Sequence, residues 1–102
     1  MHSVIWSASA LNHFKNIYLY YKELSPKAAG KIRDAITAKV TFLSKYPYSG
    51  KTIIEPIELT NYRVYIVRNW KIIYRVDYDK KKIIIADIFD ARQSPDKLKV
   101  QE

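Results

Sequence analysis

The chain has 102 residues, 48% hydrophobic and 14% aromatic, with no cysteine, which fits one domain burying a single core without disulfides or thiolate-bound zinc. Eighteen Lys and Arg against ten Asp and Glu give a net charge of +8, favouring an acidic partner such as nucleic acid, the ribosome or an acidic protein. No apolar run approaches the roughly 18 residues of a membrane span, and the opening "MHSVIWSASALNHF" lacks the basic start of a signal peptide, so a cytoplasmic protein with no membrane partner is expected.

Residues 2–6, "HSVIW", alternate as a short strand does. Ser7 or Ser9 can then cap a helix, because a serine oxygen accepts from an unpaired N–H of the first turn. Leu11, Phe14, Ile17, Tyr18 and Tyr21 follow at spacings of three and four, one apolar stripe. "LSPKA" breaks this helix: Ser25 is a second cap, and Pro26 suits the first helical position, where its missing N–H costs nothing. Ala29, Ile32, Ile36, Val40 and Leu43 form a second stripe, ended by "KYPYSGK". The two amphipathic helices are joined by a tight turn.

The remainder reads as β. "NYRVYIVR" (61–68), "KIIYRVDY" (71–78) and "KIIIADIF" (82–89) are rich in Ile, Val and Tyr. Asn69-Trp70 and Asp79-Lys80-Lys81 separate them, gaps short enough for hairpins. The order β-α-α-β-β-β predicts an α+β domain, with a two-helix hairpin packed on a mainly antiparallel four-stranded sheet. The apolar run "IIIADIF" suggests an inner strand. After it, "FDARQSPDKL" (89–98) places Asp90 and Arg92 at the sheet rim, with Pro95 stopping further pairing.

Charge is unevenly spread. Residues 1–50 hold seven cations and two acids, and residues 51–102 hold eleven cations and eight acids. Lys80-Lys81-Lys82 reads as a solvated hairpin turn that discourages edge pairing, and Asp77 and Asp79 as solubilising charges beside it. The two histidines, His2 and His13, belong to no spaced ligand set, so neither a metal nor any other cofactor is expected. Tyr65, Trp70 and Tyr74 read first as packed strand residues and second as base-stacking rings. Arg63 shares a strand face with Tyr65 and Val67, while Lys71, Ile73 and Arg75 share another. Asp87, mid-strand, calls for a cationic partner, and Arg75 or Arg63 is in reach by sequence.

The frame "A…L..I..Y…A..K…I…V..L…P..G", followed by "YRVYIVRNWKIIYRV" and "KIIIADIFDARQSP", resembles the RelE/ParE superfamily of bacterial toxins. These are the toxic halves of type II toxin–antitoxin modules, and the resemblance spans nearly the whole chain. It implies two N-terminal helices packed on an antiparallel sheet, growth arrest, and neutralisation by a cognate antitoxin protein. RelE-like members are similar to ribonucleases that cut mRNA on the ribosome, which requires moving two protons and stabilising an anionic phosphorane. For that branch the resemblance implies Lys71 on the sheet and Arg92 after the last strand as catalytic cations, with Arg63 a nearby cation on the preceding strand; the nearby candidates for carrying protons are Asp90 and a strand tyrosine. The C-terminal tyrosine or histidine of that branch has no counterpart, since the position six beyond Arg92 is Leu98. ParE-like members are similar to poisons of DNA gyrase that act by protein contact and need no catalytic residues. The gyrase-type expectation therefore ranks ahead of the ribosome-dependent endoribonuclease, and a non-toxic RNA-binding module ranks behind both.

Overall fold

A computed structural model describes residues 1–91 and 99–100 of the chain. The elements run β1 (Ser3–Trp6), α1 (Ala8–Leu24), α2 (Pro26–Lys45), β2 (Lys51–Glu55), a 3-10 turn (Ile57–Leu59), β3 (Arg63–Val67), β4 (Trp70–Asp77), β5 (Lys82–Asp90) and β6 (Lys99–Val100). The sheet order is β1-β5-β4-β3-β2-β6. The expected α+β class and helix hairpin hold, but the sheet is larger than the four strands expected. It gains β2, and after the position of Pro95 the chain pairs again, through β6 against β2. The sheet is also mixed, because β1 lies parallel to β5 while the other pairs are antiparallel.

Local chemistry sets the boundaries. Ser7 Oγ accepts from Ala10 N at 3.0 Å, capping α1, and donates to Ala86 O on β5 at 2.8 Å. Ser7 N also donates to Ile85 O at 2.9 Å. One serine thus starts a helix and fixes it to the sheet. Ser25 ends α1 by donating its N–H to Tyr21 O, and caps α2 through its own Oγ, with Pro26 in the first turn. The β3–β4 turn is Arg68-Asn69 rather than Asn69-Trp70: Val67 pairs with Trp70, and Arg68 takes a positive φ of 54°. Lys81 does the same at 52° in the β4–β5 turn, where Asp77 Oδ1 accepts from Lys80 N.

The helices cover one face of the sheet. Ala10, Ile36, Val40 and Leu43 pack on Trp70, Ile72, Tyr74, Ile83, Ile85 and Ile88, all buried. Each such side chain stabilises by about 1.5–3 kcal/mol relative to exposure. Leu11, read as part of the α1 stripe, is exposed, and Ala10 takes the buried position instead. The other face carries a smaller cluster, Ile53, Val64 and Ile73, with Leu59, Tyr62, Ala86 and Phe89 against it. Ile53 of β2 and Leu59 and Tyr62 of the turn after it therefore help cover the face opposite the helices, which helical periodicity does not reveal.

Candidate functional site

Strand alternation and register decide which sequence-predicted residues can act together. Arg63 pairs with Tyr74, whose ring is in the helix-side core. Lys71 lies between Ile66 on β3 and Phe89 on β5, one step out of phase with buried Trp70 and Ile72, so it belongs to the opposite face with Ile73 and Arg75. Arg63 and Lys71 are thus on different faces of the sheet. Asp90 pairs with Trp70 and lies on the helix side, away from Lys71. Arg92, like Leu98, lies outside the described residues. Of the four predicted catalytic residues, the described part of the structure brings no two into one group.

Arg63 reaches into the loop between α2 and β2. Its Nη1 donates to Gly50 O at 2.8 Å and to Tyr48 O at 3.4 Å. Its guanidinium stacks over the Tyr48 ring at 5.0 Å. Beside it, the Tyr74 hydroxyl accepts from Gly50 N at 2.7 Å and donates to Pro47 O at 2.8 Å. Burial pushes the Tyr74 hydroxyl pKa up, against smaller opposing effects of the Gly50 N–H and the Arg63 charge. Arg63 and Tyr74 together hold the loop between α2 and β2. The readings of Tyr74 and Trp70 as packed residues hold, since both are buried.

Asp87 finds a different partner from the arginines considered for it. A register shift between Ile73 and Tyr74 marks an irregularity in β5, and Asp87 Oδ1 meets His13 Nδ1 of α1 at 2.5 Å while accepting from Ile88 N at 2.8 Å. The pair is partly exposed. Among the described residues, no group of three His, Asp or Glu converges as a metal site would require.

Two surfaces escaped the sequence reading. The first is an exposed aromatic cluster at the end of α2. Phe42 contacts Tyr46 and Tyr65, with ring centroids 5.0 and 6.0 Å apart, and Lys39 Nζ lies 5.5 Å from the Phe42 ring and 6.0 Å from Tyr65. No acid occurs from residue 35 to residue 54, a gap in the charge pattern that points to this surface. The second is a cleft of about 450 Å³ between α1 and the Trp70–Asp90 end of the sheet. His13, Asn16 and Tyr20, with Ile17 and Tyr21 of the apolar stripe, supply its helical wall, the first three forming its more polar edge. These edge residues sit three and four positions apart, a stripe visible in the sequence beside the apolar one.

The family model described as the ParE toxin of type II toxin–antitoxin systems, parDE, matches residues 4–95. Among solved structures, the chain is similar to one from the chromosomal ParDE toxin–antitoxin system of P. aeruginosa. The identity is 26% and the TM-score 0.71, covering 88% of this chain and 96% of that one. It also shares its fold with the isolated E. coli RelE toxin, at 11% identity and TM-score 0.68, over 92% of this chain and 88% of the other. A chain of the E. coli RelBE toxin–antitoxin complex matches at 13% identity and TM-score 0.66, over 89% and 98%. No curated protein matches in sequence.

Proposed function

The chain belongs to the ParE toxin family of type II toxin–antitoxin systems, and from that premise we propose that it arrests bacterial growth by binding DNA gyrase rather than by cutting RNA. The separation of Arg63 from Lys71 supports this reading most directly. Cleavage of RNA needs cations and proton carriers converging on one phosphate. Arg63 is spent on loop carbonyls on the helix side, and Lys71 is flanked by Ile66 and Phe89 on the other face. Asp90 and the His13–Asp87 pair lie on the helix side as well.

A contact poison needs no such convergence. It needs exposed side chains able to anchor an interface, and aromatic rings and arginines dominate such anchors. Phe42, Tyr46 and Tyr48 supply exposed rings near Lys39 and Arg63, and Ile66 stands exposed on the far face. The cognate antitoxin would neutralise the toxin by covering such surfaces, and the +8 charge favours an acidic segment of it.

Inducing the chain alone in a bacterial host tests the reading, with DNA supercoiling and protein synthesis followed over time. The expected result is growth arrest with supercoiling lost first, inhibition of purified gyrase by the purified chain, and recovery when the antitoxin is co-expressed. Absence of arrest would sink the toxic activity itself. Arrest in which translation stops first and mRNA is cut would replace the gyrase target with the ribosome.

A further inference from the structure

We propose that the cleft between α1 and the Trp70–Asp90 end of the sheet receives the cationic side chain of an arginine or lysine presented by a partner protein. The inference concerns a site separate from Lys71 and Arg63, and it holds for either cellular target.

The walls are aromatic and their rings are set at right angles. Tyr20 meets Tyr21 edge-on, with centroids 5.0 Å apart and planes at 85°, and Tyr21 meets Trp70 at 5.8 Å and 86°. Successive perpendicular rings present π faces in more than one direction, the arrangement that attracts a guanidinium or ammonium group through the ring quadrupoles. Asp90 adds a carboxylate to the same cleft. It has a contact of its own, but a carboxylate offers about four lone-pair positions, so it can accept from a guanidinium as well. The second carboxylate, Asp87, adjoins the cleft through His13.

Charge sharpens the assignment. Eighteen of the 102 residues are Lys or Arg, yet among the described residues none of the nine lining the cleft is. Among the described lining residues a phosphate or a carboxylate would find no Lys or Arg, whereas a cation meets Asp90 and the rings. On a strongly basic surface this is a local reversal of sign, and it discriminates between approaching groups. The rim sets the source of the cation. Tyr20 is 63% exposed and the His13 side chain 45%, so the cleft cannot enclose the greater part of a free small molecule as ligand pockets do. It fits the tip of a long side chain whose backbone remains outside.

Nuclear magnetic resonance of the labelled full-length chain reads this directly, because Trp70 lines the cleft while Trp6 is stacked on Phe14 at 5.1 Å and serves as an internal control. The probe is N-acetyl-arginine methylamide, with its uncharged citrulline counterpart and choline as comparisons. The expected result is a saturable shift of the Trp70 indole N–H with the arginine probe, none with citrulline, weaker binding of choline, and no change at Trp6. Asp90→Asn and Tyr20→Ala should each weaken the arginine probe by about fivefold or more, the size of one lost ion-pair or cation–π contact in a partly open site. Asp79→Asn, in the β4–β5 turn, should leave it unchanged. Equal shifts with citrulline, no saturation, or an unaltered Asp90→Asn variant would overturn the proposal, and tighter binding of choline would overturn the side-chain source.

Discussion

Replacing Tyr74 by Phe removes one oxygen from a residue that is fully buried. That oxygen accepts from Gly50 N at 2.7 Å and donates to Pro47 O at 2.8 Å, and both backbone residues are themselves buried. The ring keeps its packing in Phe, so the cost is that of one orphaned donor and one orphaned acceptor, each about 1–3 kcal/mol. The hydroxyl no longer has to be desolvated, which offsets part of this, leaving a net loss of about 2–3 kcal/mol. For a chain of this length that lowers the melting temperature by about 10–15 °C. Thermal unfolding followed by circular dichroism near neutral pH gives the number. A loss below about 0.5 kcal/mol, the range of an inert surface change, would show that the hydroxyl does not anchor the loop, and the structural account of Arg63 beside it would lose its frame.

The same hydroxyl predicts a pH effect. Its pKa is raised in the folded state, so the folded chain binds its proton more tightly than the unfolded one. Its contribution is complete below the ordinary tyrosine value near 10 and is lost as pH rises through the raised value. Alkaline titration of stability should therefore fall more steeply in the parent chain than in Tyr74→Phe. Gly50→Ala would set a Cβ 2.5 Å from Tyr74 Oη and 2.7 Å from its Cε1, an overlap costing about 2 kcal/mol or more by denaturant unfolding. Arg63→Ala should cost about 1–2 kcal/mol by leaving the Gly50 and Tyr48 carbonyls without their donor; loss of toxicity with an unchanged melting temperature would instead return Arg63 to the functional surface. Ser25→Ala removes the cap of α2 and should cost about 1 kcal/mol in the same unfolding assay.

Much of the fold is written in local pattern. Ser7, Ser25 and Pro26 mark helix boundaries through backbone groups within a few residues of themselves, and Ala29, Ile36, Val40 and Leu43 at helical spacing are all buried. β2 carries no such mark. "KTIIE" is short, leads into Pro56, and pairs with β3 through only Lys51–Val64 and Thr52–Arg63. The site was less legible, because its geometry depends on contacts between distant positions. His13 and Asp87 are 74 residues apart, and no periodicity announces that pairing. Nothing in the sequence names the partners of Arg63, which are the Gly50 and Tyr48 carbonyls, because backbone oxygens leave no trace in side-chain pattern. Lys71 falls on its expected strand and β5 runs one residue further than expected, to Asp90, yet alternation and register put the two on opposite faces.

The parallel seam between β1 and β5 has a consequence for the order of synthesis. Ser3 pairs with Lys82, and Trp6 with Ile85, so an early strand is matched to one far along the chain. Closing a loop of that span costs about 4 kcal/mol in chain entropy, and it becomes possible only when β5 has left the ribosome. The hairpins β3–β4 and β4–β5 close locally and can form first. Until β5 arrives, β1 has no neighbour, and Ser7 lacks the Ala86 and Ile85 carbonyls that fix α1 to the sheet. An elongating chain therefore carries both helices without the scaffold that orients them until β5 emerges, and any surface built from α1 and β5 together is completed only then.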